Sequence, residues 1–166
     1  MHERIDRRAR ALLVFAWGNR SRGDDALGPL LLDRLRALLP ADSAVDCLED
    51  YQLQIEHALD LLGRARVLFV DASLTCRAPF EVISLAPARD LSLGTHSLSA
   101  QALLQVFCDL HGHAPPASTL LAIRGEAFEL GAPLSPVAQA NLERALVWCR
   151  HWLTPMALER PQPIEG

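Results

Sequence analysis

The segment ALLVFAWGNRSRGDDALGPLLLDRL, residues 11–35, carries the strongest fold signal in this chain. It opens with Ala11–Trp17, a continuous apolar run typical of a strand buried on both faces. A short polar loop then leads directly into a helix predicted over 27–39, which Pro40 ends. The side chains expected on the buried face of this helix are Leu31, Leu35 and Leu38.

Strands and helices alternate along most of the remaining chain, without an internal repeat or a linker. Further strands are predicted at 44–48, 67–70, 80–85 and 120–123, and further helices at 54–62, 99–111 and 135–154. Such alternation predicts the α/β class, as a three-layer α/β/α sandwich with a mainly parallel sheet of about five strands. We expect one domain over residues 11–153, between a flexible N-terminus (1–10) and a flexible C-terminal tail (154–166).

The apolar spacing also predicts which side chains these helices bury. In the helix at 54–62 the inward residues are Ile55, Ala58, Leu59 and Leu62, and Gly63 follows as a C′ residue. In the helix at 99–111 they are Leu103, Val106, Phe107 and Leu110. The last helix has Ser135 as N-cap and Pro136 at its first position, and Pro155 is expected to end it. Its stripe is Ala138, Leu142, Ala145, Cys149 and Trp152.

Composition excludes several classes of protein. The chain has 166 residues, of which 50% are hydrophobic and 22% charged, as in a globular domain. Its 16 basic and 20 acidic residues give a net charge of -4. The chain therefore lacks the basic excess that would predict a nucleic-acid or anionic-membrane partner. Arg7-Arg8 precedes an apolar run too short for an export signal or a membrane span, and we expect a cytoplasmic protein. The four cysteines form no CxxC pair and are expected to be buried small hydrophobes.

Three polar residues are candidates for a functional site. Parallel sheets place their sites at the carboxyl ends of strands. Asp25 lies in the loop after the first strand, Asp71 ends the third strand, and His96 precedes a helix after the fourth. Two carboxylates and one imidazole suit a divalent metal such as zinc or nickel and leave a coordination position open.

Structural roles are the alternative for the same residues. Asp24 or Asp25 would cap the helix that starts near Ala26, satisfying its free amides. Asp71 would bond neighbouring amides in a turn, and His96 would be a solvated loop residue. Spacing alone leaves both interpretations open.

Other chemical motifs are weaker. His111-Gly112-His113 is a possible metal-binding pair, but it stands at a helix C-terminus, where histidine also favours the helix dipole. His57 is expected to be exposed, off the apolar face of its helix. The loop at 18–23 lacks the Rossmann and P-loop glycine spacings. The serines that follow strands are not in a GxSxG elbow, which disfavours a serine hydrolase. These serines are Ser21, Ser73 and Ser97.

The motif GNRSRGDDALG, residues 18–28, resembles the opening motif of the hydrogenase maturation endopeptidases, which has a Gly-Asn pair, a short loop and adjacent acids before a helix. By this resemblance the family's three metal ligands correspond to Asp25, Asp71 and His96. A late segment, GEAFELG at 125–131 followed by Leu134-Ser135-Pro136, is similar to another of its recurring segments. The similarity runs in order from about residue 11 to 152. One departure is the sequence EDYQLQIEH at 49–57, where many members have a Gly-Gly-Thr turn; it resembles the branch that serves soluble NAD-coupled bidirectional hydrogenases.

The resemblance implies an endopeptidase that removes a C-terminal extension from the nickel-loaded large-subunit precursor of a nickel–iron hydrogenase. It implies that Asp25, Asp71 and His96 contact the nickel and serve catalysis, that the substrate's active site supplies the nickel, and that no organic cofactor is needed. The expected partner is the precursor, with no nucleic acid or membrane, and the expected state is a monomer. Metal polarisation, activation of a water and a carboxylate base all remain open as mechanisms.

Three alternatives remain beside this interpretation. The same residues would also serve a nickel-binding checkpoint or chaperone that cuts nothing. Peptidyl-tRNA hydrolase-like enzymes also have a Gly-Asn motif after their first strand, although tRNA binding demands a basic face. The third alternative is a scaffold whose acids only cap helices.

Overall fold

Five strands form one mixed sheet in the computed structural model, which describes residues 10–89 and 98–158. The strand order is β2-β1-β3-β5-β4. β2, β1, β3 and β5 are parallel, and β4 runs antiparallel to β5 at one edge. The predicted α/β class and the mainly parallel five-stranded sheet are confirmed. The strands are β1 Leu12–Trp17, β2 Val45–Asp50, β3 Arg66–Ser73, β4 Phe80–Leu85 and β5 Ala117–Arg124.

The described residues also form three α-helices and two 3₁₀ helices, and all but the last helix lie between strands. The α-helices are α1 Leu27–Leu38, α2 Ala100–His111 and α3 Pro136–Leu158, and the 3₁₀ helices are Gly23–Ala26 and Ile55–Leu61. Ser99 caps α2 by accepting the backbone N–H of Ala102, and Gly112 ends it in a left-handed conformation. None of the helices within 10–89 and 98–158 has the length and apolarity to cross a bilayer.

The sheet separates two hydrophobic layers, as in a three-layer sandwich. Alternate residues of β1 and β3 face opposite sides, which is the period of a strand. Val14 and Val70 pack with α1 and α3 on one side. Phe15 and Phe69 pack with α2 and the second 3₁₀ helix on the other. Because β1 and β3 lie in the middle of the sheet, both of their faces are covered, which explains their continuous apolar sequences.

The second 3₁₀ helix departs from the prediction of an α-helix at 54–62. Its turn has three residues, so Ala58 and Leu61 share the buried face. The prediction that Ile55, Leu59 and Leu62 are inward is wrong, since they are 62%, 62% and 46% exposed. Gly63 follows at φ 79, as expected of a C′ residue.

The ends of α1, α2 and α3 also differ from the prediction. Leu38 in the last turn of α1 is 52% exposed and Leu110 in the last turn of α2 is 58% exposed, so the prediction that both are inward is wrong. The last helix does not stop at Pro155 but continues to Leu158. Pro155 removes one backbone donor in the last turn of α3.

Candidate functional site

The loop after β1 folds back over the carboxyl ends of β1 and β3. α1 reaches these strands so closely that a Cβ on Gly28 would lie 2.8 Å from the Trp17 carbonyl oxygen and 3.0 Å from that of Val70. Only a residue without a side chain permits this approach. The helix start therefore brings the two acids of the loop to the sheet edge where parallel sheets form their sites.

Asp25 is held by the turn that begins the loop. Its Oδ2 accepts the backbone N–H of Asn19 at 2.8 Å, and its own N–H donates to the Arg22 carbonyl at 3.1 Å. The Asn19 side chain accepts the Ser21 N–H at 2.9 Å, which closes the turn. Asp25 is partly exposed, so its carboxylate is fixed by the loop and still accessible.

Asp71 lies near the end of β3, beside Asp25. Burial and the negative charge of Asp25 raise the pKa of Asp71 to about 7, against the opposing effect of hydrogen bonds from the Ala72 backbone and the Trp17 side chain. The two carboxylates are therefore close enough to repel one another at the sheet edge. Paired carboxylates with a raised pKa are a frequent mark of functional sites.

The third candidate, His96, lies outside the described residues. Within 10–89 and 98–158, no three histidine, cysteine or acidic side chains converge in a way that would hold a metal. The structure thus brings together Asp25 and Asp71, and the part of the triad that involves His96 stays a prediction.

Asp24 has a role that its sequence position does not reveal. It is fully buried and accepts four hydrogen bonds from a segment more than 100 residues away. The donors are the backbone N–H groups of Glu126, Ala127 and Ser135 and the Ser135 hydroxyl, at 2.7 to 3.0 Å. Burial alone would raise the pKa of Asp24, but these donors lower it below its ordinary value. Asp24 is thereby ionised and ties the late loop to the loop after β1.

The alternative that these acids cap the adjacent helix is wrong. Neither the first 3₁₀ helix nor α1 has a side-chain cap. The Asp24 carboxylate instead bonds Ser135, which in turn caps α3 by accepting the Ala138 N–H at 3.2 Å. The two acids therefore have different roles, since Asp24 is directed into the protein and Asp25 toward the sheet edge.

His57 is another residue that the sequence interpretation missed. Its side chain is only 13% exposed, and its ring packs edge-on against Phe15 with the ring centroids 4.5 Å apart. The prediction of an exposed His57 is wrong because the 3₁₀ turn directs the ring inward. Gln54 and His57 form a capping box. The Gln-x-x-His spacing is the sequence signal from which this role of His57 could have been predicted.

A cavity of about 230 Å³ adjoins the Asp25 loop. Its walls are residues 18–21 after β1 and 49–51 at the end of β2. Arg20 bridges these walls, donating to Glu49 at 2.6 Å and to Asp33 at 2.7 Å, and its charge lowers the pKa of both acids. The cavity is therefore a preformed polar recess lined by the turn whose Asn19 N–H holds Asp25.

The weaker sequence motifs have structural roles. His111 and His113 lie against Phe107 at the end of α2, with ring centroids 4.5 and 5.4 Å from it. All four cysteines are free thiols. Cys76 and Cys149 are buried, and Cys47 and Cys108 are partly exposed.

A methyl group at Gly18 is expected to displace Asp25. Gly18 has φ 147, and a Cβ there would lie 2.0 Å from the Asp25 carbonyl oxygen. Gly18→Ala should therefore move the carboxylate and lower any activity that depends on it by about 10-fold or more. Gly112→Ala is the matched control, since Gly112 also has a positive φ and no atom within 4 Å of the added Cβ. Equal activities of the two variants would contradict this placement.

Comparisons with known proteins give the fold a precedent. No family model matches the chain, and no curated protein does. Among solved structures, the hydrogenase maturation protease HycI from Thermococcus kodakarensis is similar with a TM-score of 0.67 and 22% identity, over 87% of this chain and 93% of that one. The hydrogenase maturating endopeptidase HybD from E. coli has a TM-score of 0.68 and 23% identity, over the same shares. An uncharacterized protein from Wolinella succinogenes has a TM-score of 0.59 and 16% identity, over 89% of this chain and 99% of that one. The chain therefore has the fold of these maturation proteases.

Proposed function

We propose that this protein is an endopeptidase that removes a C-terminal extension from the nickel-loaded large-subunit precursor of a nickel–iron hydrogenase. The observation that carries the proposal is the Asp25–Asp71 pair at the carboxyl edge of the sheet. The GNRSRGDDALG motif and the fold shared with HycI and HybD support it. The protein acts as a cytoplasmic monomer, and the precursor is its partner.

The carboxylate pair suits a metal that arrives with the substrate. The pKa of Asp71 is raised first by burial and then by the negative charge of Asp25, and a divalent cation would offset both effects. Carboxylate oxygens, with an imidazole from His96 as the third donor, suit nickel and leave positions for the ligands of the precursor. Asp25, Asp71 and His96 thus contact the precursor's nickel, so that only a loaded precursor is held correctly.

Hydrolysis then needs a water molecule and a route for its proton. The nickel supplies a positive charge that fixes and polarises the groups around it. The water oxygen bonds to the carbonyl carbon, the C–N bond breaks, and a proton passes to the leaving amine. A carboxylate near the scissile bond can accept the proton of the water and return it to the leaving amine.

One alternative function uses the same residues without cutting. A nickel-binding chaperone would bind the loaded precursor and release it unchanged. A peptidyl-tRNA hydrolase-like enzyme is less favoured, because the sheet edge carries paired carboxylates beside the acidic wall of the cavity, and these repel phosphates.

A mass measurement separates cleavage from binding alone. The nickel-loaded precursor is incubated with the wild-type protein and with His96→Ala, and its intact mass is followed. We expect the wild type to remove one C-terminal peptide and the variant to be slower by at least about 10-fold, as for loss of a group that binds the metal. An unchanged precursor mass that persists beside a stable complex would favour the chaperone, and equal rates would remove His96 from the site.

A further inference from the structure

His57 is joined by hydrogen bonds to the end of β2. Its Nδ1 accepts the backbone N–H of Gln54 at 2.8 Å, and its Nε2 lies 3.0 Å from Oδ2 of Asp50. An Nδ1 that accepts leaves the proton of the neutral ring on Nε2, which therefore donates to Asp50. Both ring nitrogens therefore have hydrogen-bond partners, and the contact with Phe15 fixes the plane of the ring.

Asp50 connects His57 to the loop after β1. Its Oδ1 accepts the Tyr51 N–H at 2.7 Å, so each carboxylate oxygen has a partner. Its backbone oxygen accepts the Gly18 N–H at 3.2 Å, where the loop begins. Within the part of the chain that the structure describes, β2 is an edge strand that pairs with β1 alone, so its last residue has no second neighbouring strand there. His57 instead contacts this residue from the sheet face that carries Phe15.

Gly18 and Asn19 complete the connection to Asp25. Gly18 packs against the Asp25 carbonyl, and the Asn19 N–H donates to the Asp25 carboxylate at 2.8 Å. A shift at the end of β2 would therefore reach the Asp25 carboxylate through contiguous contacts. A second link joins these walls, because Arg20 donates to both carboxylate oxygens of Glu49, at 2.8 and 2.6 Å. It fixes the side chain of Glu49, whereas the His57 link holds Asp50, the residue whose carbonyl accepts the Gly18 N–H.

We infer that His57 is a positioning residue for Asp25, acting through Asp50 and the Gly18–Asn19 turn. The inference rests on the proposed function for its kinetic consequence, whereas the structural link stands without it. His57 touches no reacting group itself. Its role is to restrict the direction of the Asp25 carboxylate, and small misplacements of such groups lower rates strongly.

The test replaces His57 without removing its bulk. His57→Phe retains a ring beside Phe15 and loses both hydrogen bonds, whereas His57→Gln has an acceptor for the Gln54 N–H and a donor for Asp50. With nickel-loaded precursor we expect His57→Phe to lower kcat by about 10-fold with little change in KM, and His57→Gln to restore most of the rate. Amide hydrogen exchange at Gly18 and Asn19, measured without substrate, should be faster in His57→Phe only. His151→Gln, at an exposed position of α3, is the control.

Each outcome bears on the inference separately from the proposed function. Wild-type kcat in His57→Phe, with unchanged exchange at Gly18 and Asn19, would overturn the inference. Equal losses of kcat in His57→Phe and His57→Gln would also overturn it, because the hydrogen bonds of the His57 ring would then not account for the effect. If thermal melting shows that His57→Phe is unfolded, His57→Met gives the same comparison with a flexible apolar side chain. If the wild type itself cuts no precursor, the proposed function fails, and the exchange rates still decide whether His57 holds the turn.

Discussion

Asp25→Asn and Asp71→Asn should each abolish precursor processing while leaving the protein folded. Each substitution preserves size but removes a negative charge that the nickel of the precursor would contact. We expect a loss of at least about 100-fold, because removal of a group that merely supports a metal ligand already costs about 10- to 100-fold. The rate is measured from the precursor mass over time. Asp42→Asn, at an exposed position of the loop before β2, should process normally.

Stability should respond to Asp71→Asn in the opposite direction from activity. The folded pKa of Asp71, about 7, lies above its ordinary value of 3.8, so folding favours the protonated carboxyl. The free-energy cost of ionising Asp71 in the folded state is absent below about pH 4. It grows as the pH rises and is complete above about pH 7. In metal-free buffer at pH 8, Asp71→Asn should therefore be more stable than the wild type, by on the order of 2 to 4 kcal/mol. Near pH 4 the two should melt alike.

Processing by both variants at the wild-type rate would remove the carboxylate pair from the proposed site. A lower stability of Asp71→Asn at pH 8 would contradict the cost of ionising Asp71 in a buried position beside Asp25. Asp25→Asn offers a second check, because losing its charge should lower the pKa of Asp71. That pKa can be followed by the NMR titration of the Asp71 carboxyl.

Asp24→Ala should be the most destabilising single substitution in this loop. It leaves three backbone N–H groups and one hydroxyl without their acceptor in a fully buried position. Each unsatisfied buried donor costs about 1 to 3 kcal/mol, and partial relaxation limits the total to about 3 to 5 kcal/mol. The corresponding fall in Tm is roughly 10 °C for a domain of this size.

Two comparisons make the Asp24 experiment specific. Ser135→Ala removes one of the four donors and the α3 cap, and should cost about 1 to 2 kcal/mol. Asp42→Ala, at an exposed position, should change the free energy of unfolding by less than about 0.5 kcal/mol. Chemical denaturation gives all three values. If Asp24→Ala were no worse than Asp42→Ala, the late loop would not depend on this carboxylate.

The sequence predicts the central strands β1 and β3 well because the signal for each lies within its own short segment. β1 and β3 are buried on both faces, so their apolar runs are continuous, and the residues that follow them are necessarily at the carboxyl edge. The positions of Asp25 and Asp71 follow from that rule. His96 could be predicted from a motif but lies outside the described residues.

The remaining features depend on contacts that spacing does not express. The donors of Asp24 lie as far as 111 residues along the chain, at Ser135, so a local capping role was the natural and wrong interpretation. The segment 54–62 contains apolar residues at α-helical spacing, but a 3₁₀ turn selects Ala58 and Leu61 for burial instead. The same turn directs His57 inward. Tertiary packing here decides between two helical periods that the sequence allows.

The most direct test of the account is whether cleavage depends on nickel in the precursor. The same large-subunit precursor is prepared with and without nickel, incubated with this protein, and followed by intact-mass analysis. We expect loss of one C-terminal peptide from the nickel-loaded precursor and none from the nickel-free form. Equal cleavage of both forms, or no cleavage of a correctly loaded cognate precursor, would contradict it.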